Sequence, residues 1–523
     1  MLISKKHKKL ILNLRDPSRV TTVIPSARIL NHKGKTLVAV PHGLDEVRVL
    51  RNLGLDAPAP MSHYYDWPGR YKPYAHQRIT SEFLSLNPRA FNLSGMGSGK
   101  TISALWTFDY LRKLGRVKRM LVISPLSTLE RAWGDEIFRH FPDMTFTVLH
   151  GTRERRHKLL ANDFDVYIIN HDGIKNKDTC LLLAEREGLD LVVVDEIASF
   201  RNASTDRWKA LNLLLNGNEK LGLKPKPWVW GLTGTPTPNE PTDAWAQVKL
   251  VNPARVSARF GVWKDSVMRQ AGPFKWVSRE NATAIVKDVM QPAIRFARED
   301  CIDLPPTTIV TRETTLTPEQ HKAFQQMLKQ LRAEHDGGQI TAVNEAVKMS
   351  KLIQICCGVA YGSDGGNVVI PATPRINLLR EIIEEAEAKV LVFVPLTAAL
   401  NVVASELARD YTVATVNGET TKAQRDTIFK DFQNSPNPQV LVANAATLSH
   451  GLTLTAASVV VWYAPITSNE IYQQACARIT RPGQTLNTLI VNIQATAVER
   501  HIYERLQGKQ KLQGLLLDLI KET

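Results

Sequence analysis

The stretch AFNLSGMGSGKTISALWTFDYL, residues 90–111, constrains this chain more than any other. A short apolar run leads into SGMGSGKT, and a helical pattern follows. That order of strand, glycine-rich loop and helix is what a phosphate-binding loop requires. Gly95, Gly97, Ser98 and Gly99 form a loop whose backbone amides can turn inward around an anion. The helix that starts near Lys100 adds its positive dipole end. A lysine at position 100 can reach the β and γ phosphates of a nucleotide, and the hydroxyl of Thr101 can hold Mg²⁺. ATP and Mg²⁺ are therefore the expected ligands. Ser94 stands where the general pattern has glycine, six residues before the lysine. A ligand-free turn is the competing reading, and the flanking strand and helix argue against it.

A second string, LDLVVVDEIASF, ends an apolar run in two acids, Asp195 and Glu196. Acids are common at strand ends, so the string alone says little. Downstream of a phosphate loop it says more. Asp195 can bind Mg²⁺ through water, and Glu196 can orient or deprotonate an attacking water.

Around these two strings the chain alternates short Val/Ile/Leu runs with amphipathic stretches. From 71 to 255 the runs are AFNLS, RMLVISP, DVYIINH, LDLVVVDE and WVWGLTGTP. From 371 to 505 they are KVLVFVP, YTVATVNG, QVLVANA, ASVVVWYA and TLIVNIQ. Nearly unbroken apolar runs of this length suit parallel strands covered on both faces, and their alternation with helices predicts repeated βαβ units. Residues 1–70 read as a small mixed accessory domain of short strands and one helix. Residues 256–370 read as a helical insertion and linker, and 506–523 as a terminal amphipathic helix.

The formal charge is +15, which favours a polyanionic partner through counterion release. Five scattered cysteines, none at two-residue spacing, argue against a disulfide framework and a zinc site. No apolar run reaches the length of a membrane span, and the amino terminus lacks the features of a signal peptide. A cytoplasmic protein with no membrane contact is expected.

Further strings resemble the Swi/Snf-like group of superfamily 2 helicases, in the same order along the chain. RYKPYAHQ resembles the adenine-reading element, with Gln77 as the base contact. LVISPLSTLERAW contains Pro125 and Trp133, VLHGTR contains His150 and Gly151, and GLTGTPTPNEPTDAW contains Thr233, Gly234, Thr235, Pro236 and Asn239. IDLPPTT, LTPEQ and KLIQICCG resemble the stretch that joins the two halves. VNGETTKAQRDTIFKDFQ, LVANAATLSHGLTLTAAS and QQACARITRPGQ resemble motifs of the second half, with Gly451, Gln474, Arg478, Arg481, Gly483 and Gln484. The resemblance runs from about 71 to 490.

What the resemblance implies is an α/β fold of two RecA-like parallel-sheet lobes in tandem, with the small amino-terminal domain and the helical inter-lobe insertion added. It implies a DNA-stimulated ATPase that moves along DNA. Duplex is the favoured substrate, with single-stranded or branched DNA as alternatives. The protein is expected to work as a monomer in replication, recombination or repair, in a bacterial or phage-infected cell. Lys100, Asp195, Glu196, Arg478 and Arg481 would be the catalytic set. Gln77, the 95–101 loop, Gly451 and Gln474 would contact the nucleotide. Pro125, Thr233 and Thr235 would couple hydrolysis to DNA, or Thr233 and Thr235 would only form a structural turn. Arg478 and Arg481, three residues apart, would share one helical face. Ala198 departs from the many relatives that carry His or Asp there, which leaves Gln474 or Thr233 to relay the state of the γ-phosphate. A strand-separating or branch-migrating helicase and a nucleic-acid-binding scaffold without turnover are the other readings.

Overall fold

A computed structural model describes the chain except for residues 33, 239, 273–274, 298–300, 302–305, 337–341, 362–366, 449–453, 481–483 and 507–523. The terminal helix expected over 506–523, and Asn239, Gly451, Arg481 and Gly483, thus lie outside the described residues, apart from Leu506.

The chain divides into two compact units, Met1–Ile302 and Asp303–Thr523. The first is built on a seven-stranded sheet. Its spatial order is Ala293–Ile294, Arg89–Asn92, Trp228–Leu232, Leu189–Asp195, Arg119–Ser124, Val166–Asn170 and Phe146–Val148. Every pairing in it is parallel. All five central runs expected from the sequence are strands. Their residues alternate between two apolar cores. Met120, Val122, Leu191, Val193 and Trp230 face one core, while Leu121, Ile123, Val192, Val194 and Val229 face the other. This is why the runs are apolar at nearly every position: a sheet with helices on both faces has no wet side.

Residues 1–70 do not stand apart. Four antiparallel strands, Leu2–Ser4, Lys9–Leu12, Lys35–Pro41 and Arg28–His32 in spatial order, form a small sheet. Its inner residues Leu10, Leu12, Val38 and Val40 are buried in the same core as Trp106, Phe108 and Leu111 of the helix Lys100–Lys113. Trp106 Nε1 donates to the Pro68 carbonyl at 2.8 Å, and Tyr65 Oη donates to buried Asp109 at 2.7 Å. The connector is therefore fastened to the helix that follows the glycine-rich loop.

The second unit holds a six-stranded sheet, also parallel throughout, ordered Thr307–Glu313, Thr488–Gln494, Ala457–Trp462, Lys389–Phe393, Val440–Ala443 and Val413–Val416. All five expected runs are again strands. One core surrounds them. Within it Arg375 Nη2 donates to both carboxylate oxygens of Glu499, at 2.7 and 2.9 Å, and both side chains are sealed from solvent.

The segment 256–370 is divided between the units. Residues up to 302 belong to the first, and the strand Thr307–Glu313 is the edge of the second sheet. The segment is also less helical than its sequence suggests. It holds the hairpin Met268–Gly272 with Lys275–Ser278, and the pair Val359–Tyr361 with Asn367–Val369. All five cysteines are buried. Burial pushes the Cys180 thiol up to about 11 and the Cys357 thiol up to about 12, and it also raises Cys356.

Candidate nucleotide-binding site

Asn92, Leu232 and Asp195 lie in one row across the first sheet, and Ser124 follows the next paired residue at the same edge. The glycine-rich loop leaves after Asn92, Thr233 follows Leu232, and Glu196 follows Asp195. The candidate groups from these strands therefore gather at the carboxyl ends, the usual ligand position in open α/β sheets.

The loop closes on itself through specific bonds. Ser94 N donates to Asn92 Oδ1 at 3.1 Å, and Ser98 Oγ donates to the Gly95 carbonyl at 2.8 Å. Lys100 Nζ donates to the carbonyls of Ser94 and Gly95, at 3.0 and 3.1 Å. Gly97 and Gly99 both have φ of +78°, a region that costs residues with a Cβ. At Gly99 a Cβ would also lie 2.2 Å from Gln77 Nε2, whereas at exposed Gly97 it would meet nothing within 4 Å. The loop is tight on its protein side and open on the other. The helix Lys100–Lys113 begins at Gly99 with no side-chain cap, so its first N–H groups and dipole are available to an anion. These features fit a nucleotide triphosphate.

Gln77 and His76 pack behind the loop. His76 Nε2 donates to the Ser98 carbonyl at 2.8 Å, and Gln77 Nε2 reaches the same oxygen at 3.4 Å. Gln77 Oε1 accepts from Tyr74 N at 3.1 Å, which closes the start of the helix Ala75–Leu86.

Asp195 is held from three sides. Its Oδ2 accepts from Ser124 Oγ and from Trp133 Nε1, each at 3.0 Å, and its Oδ1 accepts from Glu196 N at 3.1 Å. Its carbonyl accepts from His171 Nε2 at 2.9 Å. Trp133 reaches it from a π-helical turn, Leu129–Gly134, a distortion that recurs at functional sites. Burial lowers the His171 imidazole below its usual range, which keeps it a neutral donor. Glu196 has φ +48°, an uncommon left-handed geometry for a residue with a side chain. Thr233 Oγ1 donates to Glu196 Oε2 at 3.4 Å and itself accepts from Thr235 N at 3.3 Å. A carboxylate has about four lone-pair sites, so Asp195 keeps capacity for a metal-bound water. Among the described residues no three His, Cys, Asp or Glu side chains cluster as a closed metal site. Thr101, in the first turn of the helix after the loop, and Asp195 are the oxygen donors that would hold Mg²⁺, an ion usually bound by one or two protein oxygens together with phosphate.

Pro125 begins the single turn Leu126–Thr128 beside Ser124. Ala198 is buried. No motif in the sequence singles out Ser124, His171 or Phe296. Phe296 N donates to Ser94 Oγ at 3.2 Å, and Gly95 N donates to the Phe296 carbonyl at 3.0 Å. The hydroxyl at the unorthodox loop position therefore accepts from the segment that follows the strand Ala293–Ile294. Only that departure from glycine, in the sequence, points to it.

In the second unit Gln474 is buried on the helix Asn469–Cys476 and donates to Glu470 Oε1 at 3.2 Å. Arg478 is also buried but lies in the turn beyond that helix, and its carbonyl accepts from Leu454 N. The expectation that Arg478 continues a helical face toward 481 is thus corrected: the helix stops at Cys476. Pro482 in the sequence disfavours helix just before it. Gln484 Nε2 donates to the carbonyls of Ala457, Ile479 and Thr455, which makes it an internal brace.

The SNF2-related domain profile matches residues 94–359, half of the chain. The chain belongs to the SNF2-related family of helicase-type ATPases. The helicase conserved C-terminal domain matches residues 374–483, and the two parallel sheets are the RecA-like lobes of this family. Among relatives, the chain is 26% identical to the ISWI chromatin-remodeling complex ATPase ISW1 of Saccharomyces cerevisiae, over 86% of this chain and 41% of that protein. It is 25% identical to putative protein p41 of Acyrthosiphon pisum secondary endosymbiont phage 1, over 86% of this chain and 98% of p41. It is 24% identical to the putative ATP-dependent helicase/translocase YwqA of Bacillus subtilis, over 81% of this chain and 46% of YwqA. The chain thus spans less than half of ISW1 and YwqA but nearly all of p41. A solved SWI2/SNF2 ATPase core from Sulfolobus solfataricus, in complex with dsDNA, is 24% identical over 87% of this chain and 94% of its own, with a TM-score of 0.42. No described helix is long and apolar enough to cross a membrane.

Proposed function

We propose that this chain is a DNA-stimulated ATPase that translocates along DNA, with duplex as its preferred track, in replication, recombination or repair. The observation that carries the reading is the shared sheet edge. A phosphate-type loop and an acid pair emerge there from the strands on either side of Trp228–Leu232, and Thr233, which follows that central strand, donates to the second acid. Relatives with helicase or translocase in their names support the direction of the work.

In this reading Lys100 and the amides of the loop hold the β and γ phosphates, and Gln77 contacts the base. Glu196 takes a proton from the attacking water, with Thr233 beside its carboxylate to register when the site is filled. Bound Mg²⁺, held by Thr101 and through water by Asp195, would neutralise phosphate charge. Arg478 and Arg481 are assigned to the same reaction by their motif, as cations that stabilise charge built up in phosphoryl transfer. Gly451 and Gln474 are assigned to the nucleotide, and Pro125 and Thr235 to coupling, on the same basis. The protein is proposed to act as a cytoplasmic monomer.

The test is ATP hydrolysis without nucleic acid, then with single-stranded DNA, duplex DNA or RNA. Duplex should stimulate most, and Lys100→Ala and Glu196→Gln should each lower turnover by about 10²-fold or more. Stimulation by single strands alone would favour a strand-tracking helicase. No turnover under any condition would leave a binding scaffold.

A further inference from the structure

The charge of this protein is unevenly placed. Residues 1–41 carry nine Lys and Arg against one acid, Asp16, so a net of +8 out of +15 sits in a small fraction of the chain. The remaining 482 residues carry only +7. The sheet that holds this charge has two unlike faces. Leu10, Leu12, Val38 and Val40 are sealed into the first unit's core, while Lys5, Lys6, Lys8, Lys9, Arg15, Arg19, Arg28 and Lys35 are all exposed. Asp16 accepts from Ser18 N at 2.9 Å. Among the described residues, Lys5, Lys6, Lys9, Arg15 and Lys35 form no ion pair.

The charges also have a fixed layout. Lys5–Lys9 occupy the turn between the first two strands and the start of the second, where Lys9 pairs with Pro41. Lys35 lies at the far end of the same strand as Pro41, next to the turn where it pairs with His32. Seven residues of strand separate the two ends by roughly 20 Å. Arg28 lies between them on the outer strand, paired with Ala39, and every residue of that strand is exposed.

We propose that this sheet is a second nucleic-acid contact, distinct from the nucleotide-dependent motor, which binds the phosphate backbone of duplex DNA. The proposal rests on the DNA-motor reading only for the identity of the polyanion. A single phosphate would need converging groups, whereas cations spread over roughly 20 Å match a repeating charge of about one per 1.7 Å of duplex axis. An anionic membrane is the lesser fit. Exposed Leu2, Ile29 and Leu30 lie on short strands, and the nearby helix Ser18–Thr21 is a single turn, so no amphipathic helix presents an insertion face.

The experiment compares the full chain with a variant carrying Lys5→Ser, Lys6→Ser, Lys9→Ser and Lys35→Ser. Duplex DNA affinity is measured without nucleotide between about 50 and about 200 mM salt. All four side chains are exposed, and thermal melting reports that the variant folds. The expected result is a slope of log affinity against log salt reduced by about 2 to 4, at about 0.9 for each phosphate no longer neutralised, with affinity at the lower salt down at least tenfold. An unchanged slope overturns the proposal. So does a variant that keeps DNA affinity but loses binding to phosphatidylserine vesicles. Wild-type ATP turnover is read alongside. If DNA fails to stimulate it while the slope still falls, the motor reading fails and the basic sheet stands as a DNA contact. If DNA stimulates fully while the slope is unchanged, the motor reading stands and the sheet is no DNA contact.

Discussion

Asp195 shows how much of a carboxylate's placement depends on residues that never touch the nucleotide. Trp133 and Ser124 share one of its oxygens. Trp133→Phe keeps most of the ring but deletes one buried donor to a charged group, a bond of about 1.5–3 kcal/mol. ATP turnover should fall about tenfold, more than Ser124→Ala lowers it if the indole dominates, and the melting temperature should drop as well. Steady-state kinetics beside calorimetry separates the two effects. His171 carries a pH prediction. Burial lowers its folded pKa beneath the ordinary 6.5, so the unfolded chain binds the proton more readily. Its contribution to stability is complete above 6.5 and is lost as the pH falls below that value. Burial lowers His42 and His140 as well. The first unit should therefore melt at a lower temperature at pH 5 than at pH 7, and His171→Asn should shrink that difference.

At the scale of elements, the strand Ala293–Ile294 is the least legible part of the site and among the most informative. Two residues carry no periodicity, yet they lead Phe296 to Ser94. Ser94→Gly restores the general loop pattern and removes the acceptor. The Phe296 amide should then exchange with solvent roughly five to ten times faster, as loss of about 1 kcal/mol implies, which hydrogen exchange would detect. An unaltered rate would mean that the hydroxyl does not hold the strand. The elements that are legible share a property. LVVVD and VVVW are buried on both faces, so their composition alone marks them. Thr307–Glu313 reads as part of a helical insertion because it is an edge strand with six of its seven residues exposed, and nothing apolar repeats along it. The phosphate loop and the acid pair are legible because their chemistry is local. The supports of Asp195 come from 62 and 71 residues away along the chain, where no spacing links them. The helix before Arg478 ends earlier than the motif string suggests, because Gln and Ala favour helix while the turn beyond is set by tertiary contacts.

At the scale of the molecule, the amino-terminal sheet and the first lobe share one core. Leu12 is nearly inaccessible and belongs to the same cluster as Trp106. Leu12→Ala should cost about 2–5 kcal/mol. The loss should appear as one shifted transition for the whole first unit, read both by tryptophan fluorescence and by loss of ATP binding. A separate early transition would mark the sheet as an independent appendage. The basic surface is thus fixed rigidly to the lobe that holds the phosphate loop.

The buried thiols have a practical consequence for watching such a protein at work. All five cysteines are shielded, and for Cys180, Cys356 and Cys357 burial also suppresses the reactive thiolate. A maleimide dye should therefore ignore the native chain and find only cysteines introduced on its surface. One at Ser26 and one at Glu419, both exposed and in different units, would carry a donor and an acceptor fluorophore without first removing any natural residue. The spacing between the two halves could then be followed, molecule by molecule, through a turnover cycle.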